Sequence, residues 1–329
     1  MSNAEHSVSD DFPELFHYTN LSAFKNIYEK KNIRATHYED MKDTTEFRRF
    51  RLKLEQFIRP IIRKILEKQI KHDKKYSTHV SRYGGVDTFV DAIAKDLLDT
   101  VHGHTFNKNM YKESFVCCFS AHTQPDEAKD GLLSQWRGYG EVCIVLDTSK
   151  IKKMIEDEHK KFQIRNISTL SPVIYDHDNN NLKIKKEFEK VFNCLPKVIK
   201  EISPVEKSGN KKKLESFFKT MHDHFLLGSI LVKHNGFHEE NEVRIVMPIT
   251  TKDSYSHKPK ETKPLKKIHY RQVDNREERY IELFGDKPLP IKRIIIGPSH
   301  IQNVNYQTVR DIVKDQNIEI VKSEILFIG

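Results

Sequence analysis

No uninterrupted apolar run in the 329-residue chain approaches the roughly 18 residues that a bilayer-spanning helix needs. The stretch around Glu5, Asp10 and Asp11 is polar and acidic, with no apolar core of the signal-peptide type. Together these absences predict a cytoplasmic protein with no membrane partner. Cysteine is scarce: Cys117, Cys118, Cys143 and Cys194 are the only four, and none forms a CxxC pair. Neighbours on a strand point to opposite faces, so Cys117 and Cys118 are poorly placed to share a metal, and four thiols are too few for a disulfide framework in so long a chain. Reduced cysteines and no metal are the expectation. Also missing are the phosphate-binding loop GxxxxGK[ST], the dinucleotide fingerprint GxGxxG and the nucleophile elbow GxSxG. His234-Asn235-Gly236-Phe237-His238-Glu239 lacks the HExxH order of a zinc protease, and Gly236 argues against a helix there.

What is present suits a folded, well-solvated protein: 37% hydrophobic and 31% charged residues, with a net charge of +9. Eleven Lys or Arg against four Asp or Glu lie between Glu46 and Lys75, a surplus of seven in one segment. Arg48, Arg49, Arg51, Arg59, Arg63 and Lys64 carry much of it. Such a run is either the solvated face of a helix or a basic surface for nucleic acid or another acidic partner.

Hydrophobic periodicity predicts a strand over 15–19, then a helix through Leu21, Phe24, Ile27 and Tyr28 with Asn20 as its N-cap. A longer helical pattern follows from Phe47 to Leu66, with Pro60 inside it, where proline should kink or divide the helix. Another helix is expected over 86–98. Strands are predicted over 115–120, 142–147, 242–249, 280–284, 293–296 and 318–326, and helices over 183–202, 212–233 and 304–314. A polar loop is expected over 121–140. Strands and helices do not alternate regularly, so the fold class is α+β. The division predicted is a single domain over 1–329, with core segments 12–45, 114–150 and 237–329 and helical insertions at about 46–110 and 183–235.

Three places carry candidate chemistry. In Glu239-Glu240-Asn241-Glu242-Val243-Arg244-Ile245-Val246-Met247 a period of two sends Val243, Ile245 and Met247 inward, and Glu240, Glu242 and Arg244 together to the other face. That face is either a solvent-exposed ion-pair ladder or the floor of a polar cleft in which one carboxylate orients a sugar hydroxyl and the other takes a proton. In Leu15-Phe16-His17-Tyr18-Thr19, His17 and Thr19 share a face just before a helix begins. His17 is either a satisfied structural histidine or a donor to a ligand hydroxyl. The third place is Ser120 with Ser134-Gln135-Trp136-Arg137-Gly138-Tyr139-Gly140. Here Trp136 is either a stacking platform or a core anchor beside a tight turn.

Taken in order, His17-Tyr18-Thr19, Asp43-Thr44-Thr45-Glu46, Cys118-Phe119-Ser120, the Trp136 block, Glu239 to Arg244 and Ile294-Ile295-Ile296-Gly297 resemble a bacterial family known as domain of unknown function 2971. That family is in turn similar to the ADP-ribosyltransferase clan. The resemblance implies a mixed or antiparallel sheet core of ADP-ribosyltransferase type carrying large helical insertions, with NAD as substrate. It implies that His17, with Tyr18 and Thr19, meets the adenosine side, that Trp136 or Tyr139 packs on nicotinamide and that Ser120 buttresses the site. Glu242, or Glu240, would hold the nicotinamide ribose and stabilise positive charge as nicotinamide leaves, with Arg244 clamping the glutamate or binding pyrophosphate. The acceptor would be a macromolecule, nucleic acid or protein, and a toxin or antiphage role, with a cognate inhibitor, is the natural extension. An NAD glycohydrolase and a noncatalytic basic module that binds nucleic acid are the competing expectations, since a fold does not set a chemistry.

Overall fold

The computed structural model describes residues 7–41, 45–103, 105, 113–176, 189, 193, 211–252, 263–314 and 317–326. The chain divides into two compact units, one formed by 1–41, 113–173 and 236–329, the other by 42–112 and 174–235.

The first unit is built on a ten-stranded sheet. Its strands are β1 (Glu14–Thr19), β2 (Asn32–His37), β3 (Ser114–Ser120), β4 (Val142–Asp147), β5 (Thr169–Pro172), β8 (Glu242–Pro248), β9 (His269–Val273), β10 (Arg276–Phe284), β11 (Ile291–Ile296) and β12 (Glu319–Lys322). The second unit holds β6 (Ile174–Asp176) and β7 (Val232–His234) as a parallel pair. In the large sheet every pairing is antiparallel except β11 with β12. The fold is therefore α+β with a mostly antiparallel sheet.

The sheet branches at β3. One edge of β3 pairs along its whole length with β8, from Ser114↔Pro248 to Ser120↔Glu242. The other edge is shared: β2 takes Phe115 and Val116, and β1 takes Ser120. Beyond β1 lie β4, β11 and β12, and beyond β2 lie β10 and β9.

One face of this sheet is apolar. Leu15, Ile33, Ala35, Phe115, Cys117, Phe119, Ile144, Leu146, Val243, Ile245, Met247, Ile281 and Ile294 form its core, with Phe24 and Ile27 of α2 (Leu21–Lys30), Ile151 and Ile155 of α8 (Thr148–Lys161) and Val309 of α10 (Gln302–Ile312). Asn20 caps α2 as expected, its side chain accepting from the Ala23 N–H at 2.8 Å. The predicted polar loop over 121–140 instead contains two short helices, α6 (Pro125–Asp130) and α7 (Leu133–Tyr139). Proline at the first position of α6, where its missing N–H has no intrahelical partner to lose, makes that start possible. No element had been expected over 32–37 or 148–161, where β2 and α8 lie. A short α1 (Val8–Asp11) precedes β1.

In the second unit α3 (Thr45–His72) runs through Pro60 as one helix of 28 residues, followed by α4 (Lys74–Arg82) and α5 (Val86–His102). Of the two outcomes expected at Pro60, a kink or a division, the division does not occur. Pro60 sits on the exposed side, while Phe50, Leu54, Ile58, Ile62 and Leu66 form an unbroken buried stripe at a spacing of four. Burying that stripe outweighs the one backbone bond the proline removes. α9 (Lys211–Leu231) meets α3 where Phe50 and Phe225 stack edge to face, with ring centroids 5.6 Å apart. The helix predicted over 183–202 lies almost wholly outside the described residues.

Candidate functional site

The face of the large sheet opposite this core carries a second buried cluster, Phe16, Tyr18, Trp136, Cys143, Val145 and Ile295, and polar groups gather beside it on β3 and β8. Register decides which residues meet there. Across β3 and β8, Cys118 lies opposite Arg244 and Ser120 opposite Glu242, while Ser171 of β5 flanks Arg244 from the other side. Val243, Ile245 and Met247 point into the core as the period-two pattern predicted.

Glu242 and Arg244 are not an exposed ladder. Their side chains are buried, with the residues 5% and 1% exposed, and β8 is enclosed along its whole length. The Arg244 Nε–H donates to Glu242 Oε1 and an Nη2–H donates to Oε2, both at 2.9 Å. This two-pronged geometry fixes the carboxylate in one orientation. Burial, and then the negative charge of Glu242 beside it, push the Cys118 thiol well above its ordinary range, so Cys118 is a neutral neighbour and not a nucleophile.

Glu240 is not part of the strand. It ends a 3-10 turn over Asn235–Glu240, and Asn241, at φ 39°, separates it from the strand. The left-handed residue breaks the extended alternation that had placed both carboxylates together.

His17 is also elsewhere. Phe16 lies opposite Ser120, so Phe16 and Tyr18 face the Glu242 side, while His17 and Thr19 face the other. The His17 ring packs against Phe119 of the apolar face, with centroids 5.6 Å apart. Its Nδ1–H donates to the Cys118 carbonyl at 3.2 Å, within the stretch of β3 that neither β1 nor β2 covers. Burial lowers its pKa, partly opposed by that hydrogen bond. His17 thus satisfies a backbone acceptor at the branch of the sheet, and the expected meeting of His17 and Glu242 in one cleft is corrected. Alternation within a strand was readable, but the offset between two strands was not.

A histidine that the sequence reading passed over does lie on the Tyr18 side. His122 Nε2 and the Tyr18 hydroxyl are 2.6 Å apart, and that oxygen also accepts the Leu132 N–H at 3.0 Å. The His122 side chain is fully enclosed, its ring 4.5 Å from that of Phe16, and burial drops its pKa to about 4. Its Nδ1 lies 3.6 Å from Glu127 Oε2. The available signal was the row Cys118, Ser120, His122 at a spacing of two.

Trp136 is the core anchor of its two alternatives. It is 7% exposed, edge to face with Tyr18 at 4.7 Å, and its indole Nε1–H donates to the Asp130 carbonyl at 3.1 Å. A Cβ added at Gly131 or at Gly297 would come within 2.6 Å of the indole ring. The two glycines make room for the ring, which ties the Trp136 block to the Ile294-to-Gly297 segment by packing. Tyr139, at 49% exposure, closes α7 on the surface.

Five of the eleven basic residues in the run, Arg49, Arg51, Lys53, Arg59 and Arg63, pair with acids within its own unit. Arg51, Arg59 and Arg63 on α3 reach Asp99, Asp91 and Asp87 on α5 as rungs of one antiparallel ladder. Arg59 also bonds Glu55, and Arg49 and Lys53 converge on the buried Asp176 of β6. Lys64 is exposed, and the side chain of Arg48 lies outside the described residues. Three of these pairs, from Arg51, Arg59 and Arg63, join α3 to α5. Among the described residues no group of three or more His, Cys, Asp or Glu is gathered as a metal site, and no helix is long and apolar enough to cross a membrane.

Against known families, residues 135–245 match the model of the family described as "Protein of unknown function (DUF2971)". The match runs from the Trp136 block through β4 to Ile245, so it takes in Glu242 and Arg244 and leaves out β1. It supports the family resemblance drawn from the sequence. No curated protein and no solved structure matches the chain.

Proposed function

We propose that the chain cleaves the nicotinamide glycosidic bond of NAD and transfers ADP-ribose to a macromolecular acceptor, with Glu242 as the working carboxylate. The observation that carries this reading is the two-pronged bond from Arg244 to Glu242 at the head of a central strand, beside Ser120. Nicotinamide is already a good, neutral leaving group, so the protein mainly has to orient NAD and stabilise charge at the anomeric carbon. A carboxylate held by a guanidinium is preorganised to accept from a ribose hydroxyl without a metal. Tyr18 and Ser120 share its face and are the other candidates for contact. His17 takes the supporting role of fixing the edge of β3. With Arg49, Arg51, Arg59 and Arg63 already paired, a protein acceptor is as well supported as a nucleic acid.

A second reading has an observation of its own. The near-complete burial of Glu242 and Arg244 also suits a structural tie that clasps β8 in a noncatalytic scaffold. The deciding measurement is nicotinamide release from NAD by purified protein, with and without cell lysate, for the native chain and Glu242→Gln. Lysate-dependent release lost in the variant supports transfer, and lysate-independent release lost in the variant supports glycohydrolysis. No release and no NAD binding by the folded native chain leaves the scaffold.

A further inference from the structure

Glu242 opens β8, and the residue before it adopts a backbone conformation that few residue types tolerate. Asn241 lies in the left-handed region at φ 39°, where asparagine is enriched because its short amide can bond locally. Here that amide has a defined partner. The Asn241 side-chain Nδ2 donates to the Ala121 carbonyl, and the Ala121 N–H donates back to the Asn241 carbonyl at 2.8 Å. The Asn241 N–H is bound as well, to the His238 carbonyl at 3.1 Å, and the Glu242 carbonyl accepts the Val173 N–H at 2.8 Å. One residue is thus clasped on both its backbone and its side chain, immediately before the carboxylate of interest.

We propose that Asn241 is the positioning residue of this site: its left-handed turn, locked to Ala121, delivers Glu242 to the Ser120 face and takes Glu240 out of the strand's alternation. Extended backbone at 241 would set Glu240 and Glu242 on one strand face, and a slip of one residue would send Glu242 into the apolar core. The clasp sets Glu242 in register with Arg244. This inference rests on reading Glu242 as the working group, and its test has a readout that does not need activity.

That readout is the Arg244 Nε–H resonance in a ¹⁵N-labelled full-length sample, assigned by its loss in Arg244→Lys, because this proton lies in the bond to Glu242 Oε1. Asn241→Ala is expected to shift or broaden it. In the nicotinamide-release assay the same variant should lose about tenfold or more in kcat with KM little changed, as a misplaced group does. Asn241→Gly restores the backbone freedom and should recover the resonance and most of kcat. Asn241→Asp keeps the left-handed tolerance but sets an acceptor against the Ala121 carbonyl, and should shift the resonance even if Asn241→Ala fails to fold. An unchanged Arg244 signal in folded Asn241→Ala or Asn241→Asp overturns the proposal. Should no form release nicotinamide, the NAD reading falls alone, and the resonance still decides whether Asn241 positions Glu242.

Discussion

Arginine meets carboxylate in two quite different settings in this molecule. On the face of the large sheet the pair of Arg244 with Glu242 is sealed from water. On the helical unit a ladder of pairs joins α3 to α5 in solvent. The chemistry is the same, but the energetics are not. A sealed pair has surrendered its hydration, so breaking it costs far more than breaking a pair in solvent. Exposed pairs keep their water, and each contributes little, though as a set they specify which helix faces align. The sequence shows a basic run conspicuously and a buried arginine hardly at all, so the conspicuous feature is the less consequential one.

That contrast can be broken most sharply at the sealed pair. Arg244→Ala should cost about 3–5 kcal/mol of stability, since it takes a two-pronged guanidinium partner from a buried carboxylate. Urea denaturation is the check, and a loss within the range of surface substitutions would mean that water reaches the pair. Next in size is a pH effect from an enclosed histidine on this side of the sheet. His122 has a pKa lowered from 6.5 to about 4, so between those values the unfolded chain binds a proton that the folded one does not. Stability should therefore be complete above pH 6.5 and decline as pH falls toward 4, by roughly 3 kcal/mol in all. His122→Gln should flatten that decline in denaturation curves taken at pH 7 and pH 5, and an equally steep decline would assign it to other groups.

A smaller loss is expected at Gly297, whose backbone is not left-handed, so that Gly297→Ala tests the contact with the indole alone. About 1–3 kcal/mol should be lost, with the emission of the single tryptophan, Trp136, as the probe. Trp136→Phe, scored by circular dichroism, should absorb part of that loss when the two changes are combined, and strict additivity would refute the contact. The smallest effect belongs to the ladder. Arg59→Ala should cost about 0.2–1 kcal/mol, less in high salt, and a loss as large as that at Arg244 would erase the distinction between the two settings.

The legible parts of the fold share one property: their signal is local. β1, β3, β4 and β8 are rich in β-forming apolar residues, and α3 repeats its apolar residues at helical spacing. β2, by contrast, reads Asn-Ile-Arg-Ala-Thr-His and becomes a strand because β10 and β3 lie on either side of it. The helices α6 and α7 were hidden in a stretch whose glycines and polar residues signal a loop. At the candidate site, Val243, Ile245 and Met247 against Glu242 and Arg244 were separable from spacing alone. The alternation does not carry through to Glu240, because one left-handed residue interrupts it, and His17 was misplaced because a single register, Phe16 opposite Ser120, sets its face.

The sequence by itself determined the α+β class, the central strands, the inward set on β8 and the candidacy of Glu242 and Arg244, because these depend on residues near one another in the chain. Only the tertiary structure decided that the pair is sealed, that His17 and Glu242 look to opposite sides of the sheet, that Trp136 is held by Gly131 and Gly297, and that acids on α5 answer the arginines of α3. Each of these depends on the offset between segments far apart in sequence, and that offset is set by the packing of the whole sheet or helix pair. No local pattern encodes it.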